Sequence, residues 1–482
     1  MNDSGWSQGY VTDASYADTF FRELSPVWLN YVAALNGAPP RDLNRPFTYL
    51  ELGCGFGGST IVNAGAFPRG EFHACDFNPA HIEGGEQRAA AFEISNIQFH
   101  QASFHDLLSL DLPAFDFIVL HGVYSWVGAE ARHTIRRVIH EKLKPGGLVY
   151  LSYNCLPGWS VEAPLRKLFM ELAAAADGDT AKRTQEALSS LQQLSRNKLR
   201  YFNANPAAVT AVESYTKGQG NYLAHEFLNE AWEPFYSIDV ADEMAEIEMS
   251  YLGSATLAEN HPALVIDALA AEAVANLRTG RQQQLAIDFA VNQRFRRDVF
   301  VGGQERLDHA AATEQVSATV IGSLGNPDRI DTHAKVPRGE VGFQGDFIRD
   351  LRSLMHRGSM TIGDTVAALC GERRSARDIT RNVTFLVAAG ALTPFAKACS
   401  YTAATSARVA SPMLERVLAQ AIERRAPRAI PSEVLGNGVP IQPSEAVAIR
   451  EWLAGDSNTR MPAAKDVPET LLPTLIRLGL IR

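Results

Sequence analysis

The chain has 482 residues, of which 46% are hydrophobic and 21% are charged, and its formal net charge is −9 at pH 7. This length exceeds one ordinary hydrophobic core, so we expect a globular protein of two or three domains. The acidic balance disfavours a nucleic-acid partner, because affinity for a phosphate backbone usually rests on clustered lysine and arginine.

The N-terminal residues, the apolar stretches and the cysteine spacing disfavour further classes of protein. The first residues lack the basic region and apolar run of a secretory signal, and no stretch approaches the roughly 20 apolar residues of a membrane span. We therefore expect a cytoplasmic protein without membrane insertion. The five cysteines include no Cys-x-x-Cys pair and have no nearby histidines at ligand spacing. This pattern predicts reduced thiols and no metal site.

The most informative segment is residues 49–58, Tyr-Leu-Glu-Leu-Gly-Cys-Gly-Phe-Gly-Gly. The order predicts a strand, a glycine loop and then a helix, because glycines permit a tight turn and let a cofactor approach the backbone. The alternate glycines do not fit the Gly-x-Gly-x-x-Gly fingerprint of dinucleotide sites. The loop also lacks the Gly-Lys-Ser/Thr ending of a phosphate loop.

Four more strands are predicted in order after this loop. Residues 71–76 end in Asp76, a carboxylate that can accept both hydroxyls of a ribose. Residues 97–104 read as a third strand and loop, and residues 115–122 read as a fourth strand that is apolar enough to be buried on both faces. Residues 143–153 contain a Pro-Gly-Gly turn followed by a fifth strand.

These five segments resemble, in order, the motifs of class I S-adenosylmethionine-dependent methyltransferases. The resemblance implies an α/β fold with a Rossmann-like sheet and S-adenosylmethionine as the cofactor. It assigns the amino-acid end of the cofactor to Glu51, Gly53, Gly55 and Gly57, the ribose to Asp76, and the adenine to Ser103 and Phe104, with Asp106 as a rival.

Residues 1–45 precede the first strand and are predicted to form an arm over the cofactor site. Tyr10 and Tyr16 are candidates to present aromatic faces and oxygens to a sulfonium cation, Tyr10 as a cofactor contact and Tyr16 as a catalytic residue. Closure of the arm would exclude water. Phe20 and Phe21 are better explained as helix-packing residues.

Methyl transfer is an in-line displacement, so the enzyme mainly aligns the nucleophile, the methyl carbon and the sulfur. The acceptor pocket is expected over the carboxyl ends of the fourth and fifth strands. His121 is the best candidate for proton acceptance there, or for orienting the cofactor by a hydrogen bond, and Tyr124 is a second catalytic candidate. The candidate substrate-binding residues are Trp126, Tyr153, Asn154 and Trp159, with packing an equal alternative for the two tryptophans.

Residues 160–248 are predicted to be a mainly helical insertion that begins with a helical hairpin over 162–202. A homodimer contact, a substrate lid and simple bulk are all open for it. Residues 249–255 and 296–301 are the candidate sixth and seventh strands, which extends the methyltransferase domain over 46–303.

Several segments look like the so-called methyltransferase regulatory domain, namely residues 222–236 and 251–255, and residues 121–127 and 152–159 are similar to the same proteins. These are bacterial methyltransferases that include the rickettsial outer-membrane-protein lysine methyltransferases. The resemblance implies a protein lysine side chain as one acceptor, but it leaves the substrate open because one fold hosts many functions.

Residues 304–482 are predicted to form an α+β C-terminal domain that serves substrate docking or oligomerisation. Helices led by Thr361 and Ser375 and a short strand at 390–395 give it winged-helix-like character. The chain is acidic and lacks a basic recognition stripe, so DNA binding is disfavoured.

Three functions stay open. The first is a protein lysine N-methyltransferase, and the second is an O- or N-methyltransferase of a small metabolite, sugar or lipid head group. The third is a cofactor-binding regulator without turnover. The Asn/Asp-Pro-Pro-Tyr/Phe signature is absent after the fourth strand, which disfavours DNA bases and glutamine amides as acceptors.

Overall fold

The computed structural model describes residues 19–197, 199–215, 227–229, 231–303, 306–400, 410–454 and 471–481. A seven-stranded sheet with the order β3-β2-β1-β4-β5-β7-β6 lies at its centre. Its strands are β1 (Thr48–Leu52), β2 (Glu71–Asp76), β3 (Ile97–Gln101), β4 (Phe115–Leu120), β5 (Leu143–Asn154), β6 (Met249–Ser254) and β7 (Phe295–Gly302). β7 runs antiparallel to both of its neighbours, and the other pairs are parallel. The predicted Rossmann-like α/β sheet is confirmed, including its sixth and seventh strands.

Two hydrophobic cores cover the two faces of this sheet. One contains Tyr49, Phe117 and Tyr150, together with α1 (Pro26–Leu35) and α2 (Gly58–Ala66). The other contains Leu50, Ile118 and Tyr153. Neighbouring residues of one strand divide between the two cores because successive side chains point to opposite faces. The remaining helices among the first five strands are α3 (Pro79–Ala91), α4 (Phe104–Leu107) and α5 (Ala129–Lys142).

The described parts of the segment between β5 and β6 are mainly helical, as predicted. Its first part comprises α6 (Ala163–Ala174), α7 (Thr180–Arg196), α8 (Arg200–Ala204) and α9 (Pro206–Tyr215), of which α6 and α7 form the predicted hairpin. These helices bury a small core of their own around Phe169 and Leu191. By contrast, α10 (Ser237–Ala245) packs on the sheet through Val240 and Met244.

Three helices connect β6 to β7, and the sequence analysis did not predict them. They are α11 (Pro262–Val265), α12 (Ala268–Ala275) and α13 (Gly280–Ala290). A small cluster of buried residues, including Leu264 and Ile266, joins this connection to Phe385 and Val341 of the C-terminal region. The connection is therefore held between the sheet and the C-terminal region.

The C-terminal region has the α+β content that was predicted. Its helices are α14 (His309–Ala318), α15 (Gly345–Met355), α16 (Ile362–Leu369), α17 (Ala376–Ala388), α18 (Pro412–Glu423), α19 (Pro443–Ala454) and α20 (Leu471–Arg477). Its strands are β8 (Val320–Gly322), β9 (His333–Val336), β10 (Gly339–Gly342), β11 (Gly358–Thr361), β12 (Thr393–Phe395), β13 (Cys399–Ser400), β14 (Arg428–Ser432) and β15 (Asn437–Ile441).

The winged-helix-like order appears as α15, β11, α16, α17 and β12. Strands β11 and β12 belong to a four-stranded antiparallel sheet of order β12-β8-β11-β13. Thr361 and Ser375 are the N-caps of α16 and α17, and their hydroxyls accept the backbone N–H groups of Asp364 and Asp378. Across the described ranges, no helix is both long and apolar enough to cross a membrane.

The C-terminal region shares its hydrophobic core with the methyltransferase sheet. Phe347, Leu418 and Ile430 belong to the same buried cluster as Tyr49 and Tyr150. The hairpin of β14 and β15 packs directly on α2, which starts at the glycine loop. A chain cut near residue 303 would therefore expose a large apolar surface, so point substitutions are better tests of this region than truncation.

The packing of β14 on α2 predicts the effect of one substitution. A Cβ at Gly65 would lie 2.8 Å from Pro431 Cγ and 2.9 Å from Pro431 Cβ, and a proline ring cannot rotate away. We expect Gly65→Ala to lower the free energy of unfolding by about 1–3 kcal/mol in chemical denaturation.

Gly280 at the start of α13 is the matched control, because nothing lies within 4 Å of a Cβ placed there. Gly280→Ala should leave the free energy of unfolding unchanged or raise it by up to about 1 kcal/mol. Equal behaviour of the two variants would contradict the contact between β14 and α2.

Candidate functional site

The glycine loop between β1 and α2 has the backbone that its sequence demands. Gly53, Gly55 and Gly57 have φ values of 68°, 54° and 67°, in the left-handed region that favours glycine. A Cβ on Gly53 would meet Val123, and one on Gly57 would meet Phe99, whereas nothing lies within 4 Å of a Cβ on Gly55. The loop is thus packed at both ends and open at Gly55, where a ligand has access to the backbone.

Asp76 at the end of β2 is fixed against this loop. Its carboxylate accepts the backbone N–H groups of Gly55 and Asn78, each at 2.9 Å, and lies 3.3 Å from Nδ1 of His81. A carboxylate offers about four acceptor positions, so capacity remains for ribose hydroxyls. The open glycine and the oriented carboxylate together fit the ribose and amino-acid parts of S-adenosylmethionine.

Glu51 lies beneath the loop and is buried. Burial raises the pKa of its carboxyl to about 7, and the charge of Asp76 adds to this increase, while the hydrogen bond from the Thr60 hydroxyl acts in the opposite direction. Glu51 therefore changes its charge near neutral pH, unlike an ordinary glutamate.

Ser103 and Asp106, the rivals for the adenine contact, are bonded to each other. The Ser103 hydroxyl caps α4 by accepting the Asp106 N–H at 3.2 Å, and Asp106 accepts the Ser103 N–H at 3.1 Å. The hydrogen bond from the Ser103 hydroxyl lowers the pKa of Asp106. Phe104 is half-buried beside the second core. The adenine assignment stays a prediction.

His121 follows β4 and is surrounded by aromatic rings. Its Nδ1 lies 2.8 Å from the Tyr150 hydroxyl, and the centroids of Phe21 and Phe295 lie 3.8 Å and 5.8 Å from that of its ring. Burial, followed by the charge of Arg297, lowers the pKa of His121 to about 3. The imidazole is therefore neutral at physiological pH and is a weak base.

Tyr124 and Tyr153 have hydroxyls that are already engaged. The Tyr124 hydroxyl donates to Glu243 and accepts from Arg136 at 3.0 Å, and the Tyr153 hydroxyl donates to Asp298 at 2.6 Å. Burial raises the pKa of both tyrosines. Both belong to the core of the second sheet face.

The two faces of the sheet separate His121 from Tyr124, the other catalytic candidate on this edge, and from Tyr153, a candidate substrate-binding residue. His121 bonds to Tyr150, which belongs to the core of the first face, whereas Tyr124 and Tyr153 belong to the core of the second. The structure therefore does not bring the Tyr124 and Tyr153 hydroxyls to His121. Both tyrosines instead pack in the core of the second face, near the carboxyl ends of β4 and β5.

Asn154 ends β5 with one polar atom unused. Its backbone N–H donates to the Ser125 hydroxyl at 2.8 Å, and its carbonyl accepts the Phe235 N–H at 2.9 Å. Its side-chain Nδ2 is buried and has no hydrogen-bond partner in the described part of the chain, and the same holds for Nε1 of Trp159. A buried donor left unpaired is costly, so a ligand that accepts from Asn154 would recover free energy.

The two tryptophans differ in their surroundings. Trp159 is buried in the core of the insertion, 5.1 Å from Trp232 between ring centroids, and the Arg294 guanidinium covers it at 3.8 Å. Its contacts are those of a packing residue. Trp126 is half-buried at the end of a short 3₁₀ helix, so part of its ring is accessible.

The predicted arm reaches the site at its first described residues. The Phe21 N–H donates to the Ser59 hydroxyl at 3.0 Å, one residue into α2, while the Phe21 ring packs on His121. The sequence analysis took Phe21 for a simple packing residue and missed this position. Tyr10 and Tyr16 lie outside the described residues.

Two further residues near His121 were also missed, Phe295 and Arg297 on β7. The signal was present in the run Arg294-Phe295-Arg296-Arg297-Asp298, in which adjacent arginines on one strand must point to opposite faces. Only the pairing of β7 with β5 shows which arginine faces His121.

Two family models match the chain. Residues 50–149 match a methyltransferase domain, and residues 219–302 match a predicted methyltransferase regulatory domain. The described part of the second match contains α10, β6, α11 to α13 and β7. The regulatory domain thus supplies two strands of the methyltransferase sheet and the residues Phe295 and Arg297 near His121.

Similar proteins extend over more of the chain. Uncharacterized protein sll1526 from Synechocystis sp. is 34% identical over 362 residues, which cover 74% of this chain and 71% of that protein. Uncharacterized protein RP789 from Rickettsia prowazekii is 28% identical over 278 residues, which cover 56% of this chain and 49% of that protein.

A solved structure shares the fold over nearly the whole length. PKMT2 from Rickettsia typhi, in complex with AdoHcy, superimposes with a TM-score of 0.72 at 19% identity, covering 97% of this chain and 100% of that one. The ordered motifs, the sheet order and the two family matches agree with this likeness. The chain belongs to the family of its Synechocystis relative, the class I S-adenosylmethionine-dependent methyltransferases with a methyltransferase regulatory domain.

Proposed function

We propose that the chain transfers a methyl group from S-adenosylmethionine to the ε-amino group of a lysine side chain in a protein. The observation that favours an amine over a hydroxyl acceptor is the setting of His121, which is enclosed by the Phe21 and Phe295 rings and whose pKa is lowered to about 3. A hydroxyl acceptor needs a base in the transition state, whereas a neutral amine is already a nucleophile.

The surroundings of His121 favour a neutral amine. Burial disfavours an ammonium ion, and the nearby Arg297 charge lowers the pKa of a second cationic group in the same way as it lowers that of His121. A lysine held there would lose its proton to solvent as it enters. The aromatic wall of Phe21 and Phe295 would then exclude water from the reacting atoms.

The cofactor supplies the activated methyl group, and residues of the first two strands would hold it. Gly55 offers open backbone, Asp76 offers acceptors for the ribose, and Glu51 offers a carboxylate near the amino-acid end. Asn154 would donate from Nδ2 to a carbonyl oxygen of the bound substrate, because the single lone pair of the amine must stay free to attack the methyl carbon. These residues lie at or after the carboxyl ends of their strands, which is where ligands bind in open α/β sheets generally.

Two likenesses support a protein acceptor. Residues 121–127 and 152–159 are similar to those of bacterial methyltransferases that include the rickettsial lysine methyltransferases, and the fold shared with PKMT2 extends over 97% of this chain. We further propose that the C-terminal region docks the protein substrate, since a small metabolite would need no such surface.

The ribose assignment predicts the result of changing Asp76. Asp76→Asn replaces the carboxylate that accepts the N–H groups of Gly55 and Asn78 and that would accept the ribose hydroxyls. Isothermal titration should therefore show S-adenosylhomocysteine binding at least about tenfold more weakly. Asp111→Asn, an exposed acid after α4, is the control and should bind like the wild type. Unchanged affinity in Asp76→Asn would refute the assignment.

Glu51 predicts a pH dependence of cofactor binding. Its carboxyl, with a pKa of about 7, is mostly neutral at pH 6 and mostly ionised at pH 8, and only the ionised form attracts an α-ammonium group. Affinity for S-adenosylhomocysteine should therefore fall by up to about tenfold for each pH unit below 7, and it should also decline above about pH 8 as the ligand ammonium loses its proton.

Glu51→Gln should flatten both sides of this profile, because the ion pair between the carboxylate and the ligand ammonium is lost. Titrations between pH 5.5 and 9 measure both. An acidic side that persists in Glu51→Gln would assign the titration to another group.

The acceptor is tested with methyl-tritiated S-adenosylmethionine and fractionated lysate of the source organism. The full chain should place label in protein, at lysine side chains located by mass spectrometry, and Asp76→Asn should not. Label in small molecules alone would replace the proposal with the second alternative. Absence of label despite cofactor binding would favour the regulator without turnover.

A further inference from the structure

Three arginines at the start of β7 differ in how their charge is balanced. Arg294 forms an ion pair with Glu162, and Arg296 forms ion pairs with Asp288 at 2.6 Å and Asp298 at 3.0 Å. Arg297, next to them, forms no ion pair with any residue that the structure describes. Within the described part of the chain, its side chain makes one hydrogen bond, a long one of 3.3 Å from Nη1 to the Thr256 hydroxyl.

The unpaired charge of Arg297 is only partly exposed to water. The residue is half-buried, and its Nε is a buried donor that has no partner among the residues that the structure describes. A guanidinium has five N–H donors in a planar fork, so most of its capacity is unused. Holding such a group out of water without a counter-charge costs free energy that a bound anion would recover.

The position of Arg297 is beside the acceptor pocket. On β5 it pairs with Ser152, whose hydroxyl accepts the Gly122 N–H at 2.9 Å directly after His121. The Phe295 ring contacts both groups, with 5.8 Å between its centroid and that of His121 and 5.2 Å from its centroid to the Arg297 guanidinium. The guanidinium and the imidazole thus share one aromatic neighbour.

We propose that Arg297 is the anion-binding residue of this site and holds a carboxylate of a bound ligand through its planar fork. The inference rests on the proposed methyl transfer, because the two ligands of that reaction each offer a carboxylate. One is the methionine carboxylate of the cofactor, and the other is the carboxylate of an acidic residue beside the target lysine in the protein acceptor. A paired, planar contact is the geometry in which arginine binds carboxylates most strongly.

The first arm of the test concerns the cofactor. Isothermal titration compares S-adenosylhomocysteine with its decarboxylated analogue, which lacks only the carboxylate. If Arg297 holds the cofactor, the wild type should prefer S-adenosylhomocysteine by at least about tenfold, and Arg297→Gln should lose that preference.

The second arm concerns the acceptor. Enzyme saturated with S-adenosylhomocysteine is titrated with the capped peptides acetyl-Ala-Lys-Asp-Ala-amide and acetyl-Ala-Lys-Asn-Ala-amide, which differ in one carboxylate, and binding is followed by saturation-transfer NMR. If Arg297 holds the acceptor, the wild type should prefer the carboxylate form and Arg297→Gln should not.

Two variants guard the interpretation. Arg297→Lys keeps the charge but not the fork, so it should fold like the wild type and lose most of the preference. Arg281→Gln removes an arginine of α13 that pairs with Asp242 at the surface, and it should retain both preferences. Arg297→Gln with wild-type preference in both arms would overturn the proposal while leaving the proposed function intact. A wild type that fails to bind S-adenosylhomocysteine would overturn both.

Discussion

The pairing of β7 with β5 is the constraint on which the site depends. Arg296 of β7 is buried with Asp288 and Asp298, and Asp298 in turn accepts the Tyr153 hydroxyl of β5. Such a buried network is stable only when every charge is paired and hydrogen-bonded, so it tolerates one register of the two strands. That register places Arg297 and Phe295 beside His121.

The pairing of β7 with β5 also explains what the regulatory domain contributes to the fold. The matched segment is built into the sheet, since it provides β6, β7 and the helices between them. Its helices also contact the C-terminal region through Leu264 and Phe385. The connection between β6 and β7 is therefore packed against the C-terminal region.

Local pattern was enough to predict most of the sheet and the cofactor loop. The strands alternate or are uniformly apolar, and Gly53, Gly55 and Gly57 mark a turn that needs left-handed backbone. The separation of His121 from Tyr153 was also readable, because Tyr150 and Tyr153 lie three residues apart on one strand and must face opposite sides.

Long-range packing could not be predicted in the same way. The sequence around Gly65 does not indicate that Pro431 packs against it, because the two residues are more than half a chain apart in sequence. Likewise the neutral state of His121 results from burial under Phe21 and from Arg297, neither of which is its neighbour in sequence. These residues determine the chemistry of the acceptor pocket, and only the folded chain brings them together.

The most direct measurement is a crystal structure of the protein with S-adenosylhomocysteine bound. The account predicts ligand density over Gly55, with the ribose at Asp76 and the sulfur directed toward His121 and the Phe295 ring. Ligand bound away from this edge of the sheet, or a sulfur more than one strand away from His121, would contradict it.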